Sequence, residues 1–279
     1  PKFVWYLPHI ALITGIAWDH INVFPTESNY NEQFRRFVET IQPGGSLIYY
    51  QDDPLVREMA ENTKNLELIP YRLVEAIAAK DSTLVKQGNQ EFSLQIFGRH
   101  NLQNLAGALE VARKLGIAKE DFLDAMQSFD GADRRLQVLG ANDSGKVFFD
   151  FAHAPSKVRA TVSAVKEQYP SRRLVAVVEL HTFSSLSREF LPQYQGSMNQ
   201  ADEAVVFFSP EVVAHKKLPA FSEEEVAAAF AHPGLRVFSD PGAFRDHLFS
   251  LNLNAANLLL MSSGNFAGID VHELSSHLL

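Results

Sequence analysis

The chain has 279 residues, of which 46% are hydrophobic and 21% charged, and its formal net charge is −8. This length and balance are typical of a globular protein with about two domains of roughly 150 residues each. A mildly acidic chain without a basic patch argues against a nucleic-acid partner, and no apolar run reaches the ~20 residues of a membrane span. The chain has no cysteine, which excludes disulfides and thiolate chemistry and agrees with the cytoplasmic location that we expect.

In the first part of the chain, short apolar runs alternate with amphipathic segments, as in α/β proteins. Strands are predicted at 9–15, 46–50, 66–70 and 91–97, and helices at 28–41, 100–116 and 119–129. Ser28 is the predicted N-cap of the first helix, and Gly116 is predicted to end the second.

The segment from Gly131 to Asn142 is rich in turn residues, and the domain boundary is predicted within it, giving domains 1–135 and 136–279. In the second domain, strands are predicted at 147–151, 174–180, 203–208, 235–238 and 257–261, and helices at 155–168, 186–200, 222–231, 241–250 and 270–278. This alternation predicts a doubly wound, mostly parallel sheet of the Rossmann type.

Polar side chains concentrate after three of these strands. Asp150 and His153 follow the first, the segment 179–185 ends the second, and 262–265 follows the last. Ligands of open parallel sheets bind at the carboxyl ends of the strands, so these residues are candidates for a binding site.

Four further features each have two interpretations. Asp19 and His20 are suited to a divalent cation, but spacing alone favours a turn cap for Asp19 and a polar niche for His20. Asn101 and Asn104 are suited to capping a helix or to reading a purine edge. Arg135 and its neighbour Arg134 are suited to a polyphosphate or to a solvated hinge. The segment 263–265 is either an anion-binding turn or a turn with Gly264 at positive φ. Neither GxxxxGK[ST] nor GxGxxG occurs in the chain.

Taken in order, four motifs resemble those of the Mur ligases, ATP-dependent amide-forming ligases of peptidoglycan synthesis. They are Thr14-Gly15-x-x-x-Asp19-His20, Gly98-x-His100-Asn101-x-x-Asn104, Arg134-Arg135-Leu136-Gln137 and Asp150-Phe151-Ala152-His153-x-Pro155. The resemblance implies that 1–135 is the later part of the central ATP-binding domain and that 136–279 is the Rossmann-like C-terminal domain. It also implies that the phosphate loop lies upstream, so that this fragment alone neither hydrolyses ATP nor forms an amide.

The resemblance further implies ATP and Mg²⁺ as cofactors and a role for each matching residue. His20 would bind the metal, Asn104 the adenine, Arg135 the ATP phosphates and Asp150 the ribose. Arg135 and His153 would act in catalysis. The residues expected to line the site for the amine-bearing substrate are His181, Thr182, Ser184, Ser262 and Asn265.

The segment Met261–Ile269 is similar to the branch of the family that acts in murein recycling. Its substrates would be UDP-N-acetylmuramate and the tripeptide L-Ala-γ-D-Glu-meso-diaminopimelate, joined through an acyl phosphate. One alternative is the branch that adds L-alanine to UDP-N-acetylmuramate, and another is a non-catalytic nucleotide- or peptide-binding module. Two positions depart from the wider family: Phe34 stands where several members carry a carbamoylated lysine, and 180–183 lacks the arginine that other members often carry.

Overall fold

The computed structural model describes residues 1–279, which form two compact units, Pro1–Asp130 and Gly131–Leu279. Both units combine helices with parallel strands, so the predicted α/β class is confirmed. None of the helices has the length and apolar content that crossing a bilayer requires.

The first unit contains six strands and four α-helices. Its strands are β1 (Ile10–Ile13), β2 (Ser46–Tyr50), β3 (Glu67–Tyr71), β4 (Ala76–Ala78), β5 (Thr83–Gln87) and β6 (Gln90–Leu94). Its helices are α1 (Glu27–Glu39), α2 (Pro54–Glu61), α3 (Arg99–Lys114) and α4 (Lys119–Met126). The strands β1, β2 and β3 form a parallel sheet, and β4, β5 and β6 form an antiparallel one.

The parallel sheet of this unit is covered on both faces. Leu47 and Tyr49 of β2 pack with Val38 of α1 and Val56 of α2. Ile48 and Tyr50 point to the other face, where Ala106 of α3 covers them. Because side chains alternate along a strand, β2 is buried on both faces and its sequence reads as one apolar run.

The second unit contains a sheet of six strands with the order β11-β10-β9-β12-β8-β7. Its strands are β7 (Gln137–Ala141), β8 (Gly145–Asp150), β9 (Arg173–Leu180), β10 (Glu203–Phe208), β11 (Leu235–Phe238) and β12 (Ala256–Met261). Its helices are α5 (Pro155–Gln168), α6 (Pro210–His215), α7 (Glu223–Phe230), α8 (Pro241–Phe249) and α9 (Val271–Leu278). Only β7 runs antiparallel to its neighbour, so the sheet is mostly parallel, as predicted.

This sheet has helices on both faces, which makes it doubly wound. Phe207 of β10 and Leu260 of β12 pack on Phe244 of α8 and Leu274 of α9. Helix α5 contacts β9 and β12, and its residues are absent from that cluster, so α5 covers the opposite face. The topology places the carboxyl ends of β8, β12 and β9 side by side.

Two local predictions were wrong. The helix predicted at 186–200 is replaced by turns and a short 3-10 helix, Leu191–Tyr194. Pro192 lies inside the predicted span, where it provides no N–H, and Gly196 has a φ of +70°. The N-cap of α1 is Thr26, whose hydroxyl accepts from Asn29 N–H at 3.1 Å, and not Ser28.

Candidate active site

Three polar residues lie at the carboxyl edge of the six-stranded sheet. Asp150 ends β8, Glu179 lies at the end of β9, and Ser262 follows β12. Ser262 joins the other two, because its N–H donates to the Asp150 carbonyl at 3.0 Å and its hydroxyl donates to a Glu179 oxygen. Sequence reasoning predicted this edge as a binding site, and the structure brings these residues together there.

The Asp150 carboxylate is buried and holds the segment before β7. It accepts from Ala152 N–H at 2.6 Å and from Leu136 N–H at 2.7 Å. Burial raises the pKa of the Asp150 carboxyl, and the N–H donors, the Arg135 charge and the Thr161 hydroxyl offset only part of that rise. Asp150 therefore fixes local structure in addition to any contact with a ligand.

The two arginines near the boundary have different surroundings. The Arg135 guanidinium lies 5.2 Å from the centre of the Phe151 ring, whereas that of Arg134 lies 5.8 Å from the centre of the Phe149 ring. Arg134 has a φ of +55° and its carbonyl accepts from Phe151 N–H at 2.8 Å. Backbone contacts thus hold both ends of the segment that carries Arg135.

His153 is buried beside Asp150, and its ring is held on one side. Its Nδ1 lies 2.8 Å from the Phe151 carbonyl, which accepts only, so Nδ1 carries the ring proton in the neutral form. The hydroxyl of Tyr194 donates to the His153 carbonyl. Tyr194 was not singled out from the sequence, since it lies in the segment that was predicted to be a helix.

Glu179 anchors the residues that follow β12. Its Oε2 accepts from Phe266 N–H at 2.9 Å as well as from the Ser262 hydroxyl, and its Oε1 lies 3.7 Å from Nδ1 of His181. Gly264 does not adopt a positive φ, contrary to one sequence interpretation. A Cβ at Gly264 would lie 2.7 Å from both Glu179 Oε2 and His181 Nδ1, so the requirement for glycine is close approach.

The remaining residues expected to bind the substrate differ in exposure. Thr182 and Ser184 build a turn: the Thr182 hydroxyl accepts from Ser185 N–H at 3.1 Å, and the Ser184 carbonyl accepts from Ser187 N–H at 3.0 Å. The Ser184 side chain is buried. Asn265 is exposed at the start of the short 3-10 helix Phe266–Gly268.

In the first unit, His20 lies in the loop after β1 and is exposed. Its N–H donates to Asp19 Oδ1 at 2.7 Å, and its Nε2 lies 3.8 Å from Asp19 Oδ2. With 62% of its side chain exposed, His20 does not fill a polar niche, which corrects that interpretation. The chain contains no group of three or more His, Cys, Asp or Glu side chains that would hold a metal ion, so His20 and Asp19 alone do not form a complete ligand set.

Helix α3 carries the other expected nucleotide contact. Asn104 is exposed on this helix, whereas Asn101 Nδ2 donates to the Phe97 carbonyl at 2.9 Å and so has a structural role. Two residues that the sequence did not single out hold the loop after β1. Gln103 donates to the Thr14 carbonyl, and Asp53 accepts from Ile16 N–H at 3.0 Å. An N-cap signal, Asp53 before Pro54, was visible in the sequence.

A cavity of about 500 Å³ in the first unit lies elsewhere. It is lined by residues near the C-terminal ends of α1 and α2, including Glu39, Met59 and Asn62. None of the predicted site residues lines it. This cavity is therefore not the predicted binding site. The candidate site remains at the carboxyl ends of the strands of the second unit.

Two family profiles match the chain over most of its length. Residues 4–112 match the Mur ligase middle domain, and residues 134–264 match the Mur ligase glutamate ligase domain. A curated relative from Mycolicibacterium gilvum (strain PYR-GCK), named UDP-N-acetylmuramate–L-alanine ligase, is 31% identical over 249 residues. That match covers 82% of this chain and 52% of the relative, so the chain spans about half the length of this relative.

Solved structures of related ligases have a similar fold. The murein peptide ligase Mpl from Psychrobacter arcticus 273-4 is 21% identical with a TM-score of 0.64, and the match covers 99% of this chain and 59% of that one. MurF from Acinetobacter baumannii is 18% identical with a TM-score of 0.75, covering 99% and 61%. At these identities the likeness concerns the fold.

Proposed function

This chain carries the middle and glutamate ligase domains of the Mur ligase family and belongs to that family, and on this premise we propose that the intact gene product is an ATP-dependent ligase. It would join an amine to the carboxylate of UDP-N-acetylmuramate in the cytoplasm. The observation that carries the proposal is the cluster at the sheet edge, where Arg135, Asp150, Glu179 and Ser262 lie in one unit next to the ends of neighbouring strands.

We assign a nucleotide contact to each of three side chains, one in the first unit and two in the second. Asn104 would contact the adenine, Asp150 the ribose and Arg135 the phosphates, because a guanidinium bonds two phosphate oxygens with its planar fork. His20 would provide one of the Mg²⁺ ligands. When bound, ATP with Mg²⁺ supplies the phosphoryl group that converts a poorly electrophilic carboxylate into an acyl phosphate.

We assign the acceptor end to the second unit. His153, His181, Thr182, Ser184, Ser262 and Asn265 would surround the amine-bearing substrate. Its neutral amine must be held within ~3–3.5 Å of the acyl carbon, and attack there forms the amide and releases phosphate. The positive charge of Arg135 would stabilise the phosphate that leaves.

Two acceptors are supported by different observations. The name of the curated relative favours L-alanine. The likeness of Met261–Ile269 to the recycling branch favours the murein tripeptide. Residues 179–187 contain no arginine, and the first one beyond β9, Arg188, donates to the Ala220 carbonyl at 2.9 Å and pairs with Glu225 at 3.0 Å. Because both acceptors carry carboxylates, this segment does not discriminate between them.

The test is an assay of the intact gene product with UDP-N-acetylmuramate, ATP and Mg²⁺, offering either L-alanine or the tripeptide. Phosphate release and the mass of the product report turnover, and the preferred amine identifies the acceptor. Absence of an amide product with both amines would contradict the proposal. Nucleotide or peptide binding without turnover would support the non-catalytic module.

A matched pair of arginine variants tests the site itself. We expect Arg135→Ala to lower kcat/KM by about 100-fold, the effect typical of removing a group that stabilises transition-state charge. We expect Arg134→Ala to stay within about threefold, because that side chain packs on Phe149 and lies 4.0 Å from the exposed Asp133. Equal losses in the two variants would contradict the assignment of Arg135.

A further inference from the structure

Glu179 is a buried carboxylate whose two oxygens have different neighbours. Only 4% of its side chain is exposed. Its Oε2 receives two donors, the Ser262 hydroxyl and Phe266 N–H, which anchor it to the segment after β12. Its Oε1 faces the imidazole of His181. The side chain therefore cannot rotate without breaking contacts on both sides.

The segment after β12 is built to keep this arrangement. Ser262 Oγ accepts from Gly264 N–H at 2.7 Å, and its own proton is donated to Glu179. The hydroxyl is thus oriented as a donor toward the carboxylate. Gly264 lies so close to Glu179 and His181 that a Cβ would contact both at 2.7 Å. These contacts fix which oxygen of Glu179 is left for His181.

The side chain of His181 is 35% exposed, and its Nδ1 lies 3.7 Å from Glu179 Oε1. This distance is longer than a hydrogen bond, and the tautomer is set by electrostatics: the negative charge of the carboxylate favours the neutral form with the proton on Nδ1, the nitrogen that faces it. In that tautomer the Nε2 lone pair, on the opposite side of the ring, accepts hydrogen bonds. The pair therefore presents an acceptor at a partly exposed position of the candidate site.

We propose that Glu179 is a positioning residue that holds His181 in the Nδ1–H tautomer, so that Nε2 accepts a hydrogen bond from the amine of the incoming substrate. This inference rests on the proposed function only for the identity of that amine. The tautomer is a property of the chain itself and is measured without any substrate.

The first experiment is a long-range ¹H–¹⁵N NMR spectrum of the histidine rings at about pH 9, where imidazoles are neutral. The chain contains ten histidines, and the signals of His181 are those missing from a His181→Gln variant. We expect the Nδ1–H tautomer in the unchanged protein. An Nε2–H tautomer would overturn the inference, and this result does not depend on the folding of any Glu179 variant.

Glu179→Gln tests the cause. In the unchanged protein, Oε2 accepts from the Ser262 hydroxyl and from Phe266 N–H. In the glutamine variant only the amide oxygen can accept from these two donors, so it takes the place of Oε2. The NH₂ group of the glutamine then faces His181. Nδ1 then faces N–H groups in place of a negative charge, which favours a lone pair on Nδ1, so we expect the ring to switch to Nε2–H. Ser262→Ala keeps the carboxylate and should leave the tautomer unchanged, as should Glu167→Gln, which changes an exposed glutamate. A folded Glu179→Gln protein that retains Nδ1–H would overturn the inference.

The second experiment uses the intact enzyme. We expect Glu179→Gln to raise KM for the amine substrate by about tenfold, the upper end of the effect of losing one neutral hydrogen bond, and to change KM for ATP by less than about twofold. Absence of ligase activity in the unchanged enzyme would contradict the proposed function and leave the tautomer result intact. An active enzyme whose amine KM is insensitive to Glu179→Gln would contradict the inference alone.

Discussion

At the scale of single residues, Asp150 shows how one buried carboxylate supports an unusual backbone conformation. It receives the N–H groups of Leu136 and Ala152. Leu136 has a φ of +52°, a conformation that is rare for a non-glycine residue and requires support from its surroundings. The hydrogen bond from its N–H to Asp150 provides that support, and Arg135 lies next to it in the chain.

The raised pKa of Asp150 predicts a pH dependence of stability. The ordinary pKa of an aspartate carboxyl is 3.8, and above that pH the unfolded chain loses the proton while the folded chain retains it. The stability that Asp150 contributes therefore falls as the pH rises above this value. We expect the free energy of unfolding of the unchanged protein, minus that of Asp150→Asn, to decrease between about pH 4 and pH 7. Urea unfolding followed by the amide signals of β8 and β9 measures it.

The control for this prediction is Asp246→Asn, at an exposed position of α8. This change should alter the free energy of unfolding by less than about 0.5 kcal/mol throughout the pH range. A difference for Asp150→Asn that grows with pH would mean that the folded state lowers the pKa of this carboxyl, contrary to the burial argument.

At the scale of elements, short apolar runs bounded by turn residues were the easiest strands to predict. β2, β10 and β11 were predicted with their observed bounds, because an apolar run between turn residues has few alternatives. α2 was missed although Asp53 and Pro54 signal its start, and the wrong helix at 186–200 came from following apolar spacing past Pro192 and Gly196.

The candidate site was predictable only in part, for a physical reason. The strand ends predicted that Asp150, Glu179 and Ser262 would share an edge, since chain order and parallel topology determine it. The hydrogen bond between Ser262 and Glu179 joins residues 83 positions apart, and Leu136 N–H reaches Asp150 across a turn. Such pairings depend on side-chain orientation after packing, which local spacing does not encode.

Asp53 gives a prediction at this scale, because it connects two elements. Its carboxylate caps α2 through the N–H groups of Leu55 and Val56, and it also receives Ile16 N–H from the loop after β1. We expect Asp53→Ala to lower the free energy of unfolding of the first unit by about 2–3 kcal/mol, from the lost cap and an unpaired N–H. Both tryptophans, Trp5 and Trp18, lie in this unit, so tryptophan fluorescence during urea unfolding reports it.

Asp52, the neighbour of Asp53 in the chain, provides the matched control. Asp52 is exposed and its carboxylate lies 3.8 Å from Arg72 Nε, as a surface ion pair. Asp52→Ala should therefore cost less than about 1 kcal/mol. Equal destabilisation by the two variants would show that the junction between α2 and the loop does not depend on Asp53.

At the scale of the whole molecule, each unit has its own core. The second unit contains the complete six-stranded sheet, with α8 and α9 on one face and α5 on the other. Its clusters are formed within Gly131–Leu279, including the network around Glu179. A unit with this property meets the physical definition of a domain.

We therefore expect residues 131–279 to fold when produced alone. The amide chemical shifts of β9, β10 and β12 should match those in the full 279-residue chain. A shorter fragment, 143–279, lacks β7 and the Leu136 N–H that Asp150 accepts, and it should have a lower Tm. An unfolded 131–279 fragment, or equal Tm values for the two fragments, would contradict this account of the second unit.

The stacked position of Arg135 has a consequence for ligand recognition. A long cationic side chain in solution samples many rotamers, and confining it on binding costs about 1.5–2 kcal/mol of entropy. Here the backbone on both sides is tied to β8 and its immediate continuation, and the guanidinium rests on the Phe151 ring before any anion arrives. Part of that entropic cost is met during folding. In the proposed phosphate contact, charge neutralisation by Arg135 would therefore contribute more to affinity than the same group on a mobile loop.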